Sequence, residues 1–350
     1  MPYDLVMRNA RVVDGTGSPW YRGDIAIRGD TIARIAPSIT EAATRIIDLG
    51  DLVAAPGFID IHTHAGRTIF QVPTADNYIR QGVTTIMEGA DGAGSSIAGS
   101  APIPLKPFLD RLEALPKSIN IGSFIGQGAV REAVIGLANR PASSAELDSM
   151  RNLVLQGMRD GAFGLSTGLF YVPGAFTPLE EVVELQKVVA PFRGVHTSHM
   201  RDEASHVVES VNETIAIGEL GGVPTHVSHH KVIGKAYWGK STETLQLIDA
   251  ARARGVDVTM DQYPYTVVGS GRSWRIRAQA DFRSVIRSVG FSDRQSPSHV
   301  ACQILGAIRP CEDTRRPGRG PFASAVCSSQ SPCVAPDTKR RVRPNRRGRR

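Results

Sequence analysis

From about residue 53 to residue 261 the chain repeats a two-part unit, a short apolar stretch rich in β-branched residues paired with a stretch of helical periodicity. Apolar stretches at 58–61, 83–87, 119–124, 164–166, 195–199, 223–229 and 256–261 alternate with helical patterns that include 76–81, 144–160, 179–189, 203–218 and 242–253. Strands in strict alternation with helices can pair only in parallel, and parallel strands bury both faces beneath their helices. Seven such strands predict an α/β fold, a (β/α)8 TIM-like barrel of which the eighth strand is missing. The preceding residues have a different grain. Residues 4–13, 15–18 and 24–35 are short alternating strands punctuated by Gly and Asp, which predicts a small antiparallel β domain over residues 1–52. The barrel is expected over 53–270.

The charge of the chain is unevenly placed. Residues 271–350 hold 18 of the 41 Lys and Arg but only 5 of the 34 Asp and Glu, so a tail of net +13 follows a mildly acidic body of net −6. All four cysteines, Cys302, Cys311, Cys327 and Cys333, lie in that tail, at spacings that match no common zinc motif. The terminal run 339–350 would attract phosphate electrostatically, but it has no aromatic interleaving and no fold around it, so no specific nucleic-acid role is expected. No stretch nears the roughly 18 apolar residues of a membrane span. The start Met1-Pro2-Tyr3-Asp4 lacks a basic segment leading into an apolar one, so the sequence reads as cytoplasmic, with no membrane partner.

Chemically potent residues gather where the strands end. His62 and His64 close the segment Pro56-Gly57-Phe58-Ile59-Asp60-Ile61-His62-Thr63-His64, and side chains two apart on a strand point the same way. Neutral imidazole is the commonest ligand of divalent metals, so the two rings offer two coordination positions at one point. Glu88 and Asp91 follow the second strand, His199 ends the fifth, and His229 with His230 ends the sixth. Neighbouring residues point opposite ways, so at most one of that last pair can join a site on the barrel axis. Asp202 and Glu203 also fit an ordinary helix start, as N-cap and first-turn acid. Taken together, histidines after strands one, five and six with a carboxylate after strand two are what a metal site at a barrel mouth requires. A divalent ion there lowers the pKa of water towards neutrality and polarises a carbonyl, so hydrolysis is the natural reaction.

These residues resemble the amidohydrolase superfamily. Gly164-Leu165-Ser166-Thr167-Gly168-Leu169-Phe170-Tyr171-Val172-Pro173, His199-Met200-Arg201-Asp202-Glu203, Ser228-His229-His230-Lys231-Val232-Ile233-Gly234 and Asp261-Gln262-Tyr263-Pro264-Tyr265 are similar to its N-acyl-D-amino-acid deacylase branch, in order, from about residue 4 to residue 265. The resemblance implies one or two zinc ions. His199 and His229 would hold the tightly bound one, with His62 and His64 at the second position. It places Lys231, Tyr265 and Tyr171 around a small-molecule N-acyl-D-amino acid, whose amide would be hydrolysed to a carboxylate and a D-amino acid. The superfamily's cyclic-amide and dipeptide hydrolases, and a catalytically dead metal-binding remnant, are the alternatives.

Two departures stand out. The family's usual zinc thiolate falls at Asp91, with Glu88 the other candidate, and carboxylate is a harder and usually weaker zinc ligand. The aspartate expected as general base after strand eight is not recognisable, since Asp293 comes too soon after strand seven, and the catalytic base is therefore unassigned. Beyond about residue 270 the Arg-, Ser-, Pro- and Cys-rich composition reads like a gene continued out of frame. That implies a frameshifted or truncated deacylase with little or no activity, its tail disordered.

Overall fold

The computed structural model describes residues 2–50, 52–95, 101–263 and 265, with the backbone of 268–269 and 275–276. The tail from 277 onward, including the cysteines, Asp293 and the basic run, lies outside the described residues, as does any eighth strand there.

The chain forms two compact units, one over Met1–Pro56 and the other beginning at Gly57. The first is a five-stranded sheet of β1 (Tyr3–Val12), β2 (Tyr21–Arg28), β3 (Thr31–Ala36), β4 (Ala43–Asp48) and β5 (Val53–Ala54). Its order is β3-β2-β1-β4, with β5 also on β1. The sheet is mixed, where sequence predicted antiparallel pairing: β2 and β3 are antiparallel, but β4 and β5 both run parallel to β1. Because β5 pairs Val53 and Ala54 with Arg11 and Val12, the unit ends at Pro56, a few residues later than expected. Met7, Ala10, Val12, Ile25, Leu49 and Ala54 make one apolar cluster. The buried Asp24 carboxylate is satisfied by the backbone N–H groups of Asn9 (2.9 Å) and Ile39 (2.8 Å). Asn9 sits at φ 59° where the β1–β2 register shifts, so that carboxylate fixes the bulge.

The second unit runs β6 (Phe58–Asp60), α1 (Asp76–Ile79), β7 (Val83–Glu88), α2 (Lys106–Glu113), β8 (Asn120–Ser123), β9 (Ile125–Gly126), α3 (Gln127–Ile135) and α4 (Ser144–Asp160). It continues through β10 (Gly164–Gly168), α5 (Leu179–Val189), β11 (Val195–His199), α6 (Val207–Gly221), β12 (Thr225–Val227), α7 (Ser241–Ala253) and β13 (Val258–Met260), and a short hairpin pairs β14 (Val268–Gly269) with β15 (Arg275–Ile276). Two parallel sheets result, β6-β7-β8 and β9-β10-β11-β12-β13. Phe124 alone separates β8 from β9 and donates its N–H to Glu88 (2.8 Å), so the third strand serves both sheets in turn. Seven parallel strands are thus present in barrel order, and no closure is found among the described residues. The helices cover the sheets: Met150, Val154 and Met158 of α4 meet Ile125 and Leu165, while Val211 and Ile215 of α6 and Ile248 of α7 meet Val227 and Val258.

The open arrangement corrects one expectation. Phe58 and Ile59 read as a buried strand but are 57% and 63% exposed; among the described residues β6 pairs only with β7. Helix ends were better set by sequence. α4 carries a capping box, Glu146 N–H to Ser143 Oγ (3.3 Å) and Ser143 N–H to Glu146 Oε2 (2.8 Å), and stops at Gly161 in the left-handed region. α6, in contrast, starts at Val207 rather than 203. Asp202 accepts the N–H groups of Ala204 and His206 in a turn, which leaves Glu203 outside the helix. Among the described residues no helix is long and apolar enough to cross a membrane.

Candidate metal centre

The carboxyl ends of β6, β7, β11 and β12 place their polar residues at one point, where parallel α/β sheets keep their sites. Asp91 is the centre. Its Oδ1 lies 3.4 Å from His62 Nε2, 3.7 Å from His229 Nε2 and 3.8 Å from His199 Nδ1, and its Oδ2 lies 3.3 Å from His64 Nε2. Two potential ligand triads therefore share one carboxylate, His62-His64-Asp91 and Asp91-His199-His229.

Local structure explains how each side chain arrives. β6 ends at Asp60, so His62 and His64 lie beyond the strand. The middle residue makes the alternation. Thr63 donates its N–H to Met87 O on β7 (3.1 Å), its hydroxyl also lying 2.9 Å from that oxygen, and the flanking histidines face away towards Asp91. Asp91 has φ 56°, a conformation that Asp tolerates better than most residues. Gly92 and Gly168 let β10 approach this loop. A Cβ on Gly168 would come within 2.0 Å of Asp91 O, and one on Gly92 within 2.7 Å of Gly168 N. His199 is the last residue of β11, a strand paired on both sides. His229 is held at φ 39° by its N–H, which the Asp261 carboxylate accepts.

The other candidates separate cleanly. Glu88 accepts the Thr63 hydroxyl and the Ala65 N–H and tethers the His62–His64 segment instead of joining the cluster. His230 does point away from the axis, but into the protein: it is buried and hydrogen-bonded to Thr244 on α7 (2.8 Å). Lys231 is buried beside His229, its ammonium on Glu203, 2.8 Å from His229 Nδ1 and 3.0 Å from His229 O. The Tyr171 ring lies 4.7 Å from that of His199. Tyr265 is 69% exposed and reaches the cluster only through Tyr263, whose ring is 6.3 Å from His229.

Sequence reasoning gave no site role to Glu203, Asp261 or Tyr263. Asp261 follows the end of β13 just as Asp91 follows β7, the signal that could have found it. Its second oxygen lies 3.2 Å from His226 Nε2, and His226 Nδ1 is 2.8 Å from Thr259 Oγ1.

The electrostatics suit a cation. Burial would raise the Asp91 carboxyl, but the His62 and His64 contacts outweigh it and pull it well below the usual carboxylate range. Burial drives His199 down to about 4, so that ring is neutral and offers a lone pair. For His62 burial is outweighed by Asp91, which raises it. Asp91 Oδ1 and His62 Nδ1 are buried without a hydrogen-bond partner. Donors about 2.0–2.1 Å from one tetrahedral ion sit roughly 3.4 Å apart, close to the spacings around Asp91. Imidazole and carboxylate together suit zinc and its first-row neighbours, so these residues fit a divalent ion in either triad or in both.

No family sequence profile matches the chain. It is 39% identical over 287 residues to the D-aminoacylase of Alcaligenes xylosoxydans xylosoxydans, covering 77% of this chain and 58% of that protein. It is 36% identical to an N-acyl-D-glutamate deacylase of the same organism, covering 75% and 57%. A crystal structure of D-aminoacylase superposes with a TM-score of 0.71 at 37% identity, covering 76% of this chain and 60% of that one. The N-acyl-D-glutamate deacylase of Bordetella bronchiseptica, solved with zinc and a phosphonate mimic of the tetrahedral intermediate, superposes at 0.69 with 34% identity, covering 76% and 60%. The chain spans less than two thirds of the length of each of these proteins. Identity at this level over about three quarters of the chain, with a matching fold, places the chain in the amidohydrolase superfamily, in its D-aminoacylase branch.

Proposed function

We propose that the chain binds zinc at Asp91, His199 and His229, accepts a second divalent ion at Asp91, His62 and His64, and serves hydrolysis of the amide of an N-acyl-D-amino acid to a carboxylate and a D-amino acid. The observation that carries this reading is the carboxylate shared by two histidine pairs, with a buried oxygen that no protein group satisfies. The relatives support it: a D-aminoacylase is described with a binuclear metal centre, and a deacylase was crystallised with zinc and a phosphonate mimic of its tetrahedral intermediate.

A bound divalent ion supplies Lewis acidity towards the acyl carbonyl and acidifies water. The chain's own groups do the rest. Asp91 and the four histidines hold their lone pairs on one locus at the mouth of the strands. Tyr171, ring against His199, walls the acyl side, and burial pushes its phenol up to about 12, so it remains a neutral hydrogen-bond donor. Lys231 and Tyr263 lie on the His229 side, the ammonium 5.5 Å from the Tyr263 ring, and Lys231 supplies positive charge where the substrate carboxylate would lie. The exposed Tyr265 stands at the rim, at the outer end of the substrate.

A second reading has a specific observation behind it. The carboxylates lining the cluster are already engaged, Glu203 by Lys231 and Asp261 by the His229 N–H, so among the described residues none is free to act as general base. A metal-binding chain without turnover is the alternative. Metal analysis, with a release assay on paired D- and L-acyl substrates, separates the readings. Stoichiometric metal with turnover of the D-substrate supports deacylation, turnover of the L-substrate alone overturns it, and metal without turnover of either selects the inert form.

A further inference from the structure

Behind the metal cluster lies a buried trio whose hydrogen bonds cannot all be made at once. His229 Nε2 faces the cluster, 2.8 Å from His199 Nδ1 and 3.7 Å from Asp91 Oδ1. Its other nitrogen, Nδ1, has two neighbours of opposite character: Glu203 Oε1 at 3.0 Å, which can only accept, and Lys231 Nζ at 2.8 Å, which as an ammonium can only donate. All three residues come from ends of adjacent elements, Glu203 after β11, His229 and Lys231 after β12, and Glu203 and Lys231 are 7% and 2% exposed. The proton on the imidazole therefore decides which neighbour it bonds.

A neutral imidazole can give its Nε2 lone pair to a cation only if its proton is on Nδ1, and a buried Nδ1–H needs an acceptor. Glu203 Oε1 is the acceptor that the geometry supplies. Lys231 favours the reverse: its N–H donates to Nδ1, the proton stays on Nε2, and His229 then donates to His199 Nδ1 rather than to any ion. We propose that Glu203 is a positioning residue that selects the ion-binding tautomer of His229, and that Lys231 supports the competing tautomer, so cation loading moves the His229 Nδ1 bond from Lys231 to Glu203. The exchange shifts one proton between two nitrogens of the same ring and leaves the net protonation of the trio unchanged. A carboxylate behind a ligating histidine is worth about 10–100-fold in metal affinity. Glu203 lies before α6 rather than in it.

The inference rests on the proposed metal centre, and the test separates the two. Zinc affinity is measured on the full chain by chelator competition, and the tautomer of His229 by long-range 1H–15N NMR of 15N-histidine-labelled protein with zinc and with chelator. In wild type His229 should carry its proton on Nε2 in chelator and on Nδ1 with zinc. Glu203→Gln should weaken zinc about 10–100-fold, whereas Lys231→Met, which removes the competitor, should bind zinc no more weakly than wild type and hold the Nδ1–H form even in chelator. A plain structural ion pair would make both substitutions act in the same direction. If wild type takes up no zinc, the metal centre itself falls, and the inference with it. If wild type binds zinc but His229 keeps one tautomer throughout, or both variants lose zinc alike, or Glu203→Gln matches wild type, then only the role of Glu203 is overturned. Should Glu203→Gln fail to fold, Lys231→Met alone still decides through its tautomer in chelator.

Discussion

Asp91 stands between two histidine pairs that differ in how firmly the fold holds them, although His62, at 14% exposed, is nearly as buried as the inner pair. His199 and His229, on one side, have side chains only 10% and 13% exposed, and His199 ends a strand hydrogen-bonded to neighbours on both edges. On the other side His64 is 64% exposed, and both His62 and His64 follow β6, a strand with one neighbour, so their placement depends on Thr63 and Glu88. The inner pair also has support behind it: Asp261 and Glu203 on His229, and a polar layer of Thr167, His196 and Ser198 beneath His199. Ligand geometry held before the ion arrives costs little on binding, whereas geometry that must be assembled is paid for in affinity. On the proposed function, the inner triad would accordingly be the tight site and the outer triad the weak one.

The largest effect should come from the shared residue. Asp91→Ala removes an oxygen from both triads, and elemental analysis after dialysis should find no stoichiometric zinc. His199→Ala or His229→Ala should abolish the tight equivalent, a loss exceeding the about 10–100-fold that a supporting contact contributes. His64→Ala should leave one tight equivalent and lose the second. If His64→Ala empties the protein of zinc while His199→Ala retains a full equivalent, the assignment of inner and outer sites is inverted.

Much of this division was legible in the sequence, and the failures are instructive. The strand-helix alternation gave the seven parallel strands in order, and α4 and α5 fall at the residues that periodicity indicates, because both helices bury one face on the sheet. The histidines and Asp91 were visible as potent residues after strand ends. The support behind them was not. Glu203 fitted a helical repeat whose first turn is in fact unwound by Asp202, and the contact between Glu203 and Lys231 spans 28 residues, a separation that no local pattern encodes. The exposure of Phe58 and Ile59 was hidden for a similar reason: an apolar run says that a strand should be covered, not whether a neighbour is there to cover it.

Acid should act on the supporting layer beneath the inner pair. His196 is fully buried between Thr167 Oγ1 (2.9 Å) and Thr225 Oγ1 (2.7 Å), and burial drives it down to about 3. The sign follows from which state takes up the proton. Below the ordinary histidine value near 6.5 the unfolded chain binds a proton that the folded chain refuses, so this contribution is complete above pH 6.5 and is lost progressively as pH falls towards 3. From pH 7.5 to pH 5 it amounts to about 2 kcal/mol. Urea unfolding of wild type and His196→Gln at both pH values measures it. The substitution should flatten the acid dependence, and an unchanged difference between the two pH values would show that His196 is not held neutral.

The smallest effect on the metal, and the sharpest check on the geometry, is expected at His230. It is adjacent to His229 in sequence, but its ring lies on the far side of the chain, buried against Thr244 of α7, and burial lowers it to about 4. Its backbone N–H is bonded to Asp261 O (2.9 Å), a contact that any side chain preserves. His230→Ala should therefore keep the full zinc content while destabilising the fold by about 1–3 kcal/mol, through the loss of a buried ring and its hydrogen bond to Thr244. Equal loss of zinc in His230→Ala and His229→Ala would mean that the wrong neighbour has been placed at Asp91. Retention of zinc with a lowered unfolding midpoint would show instead that two adjacent histidines divide the work, one holding the ion and the other holding the helix behind it.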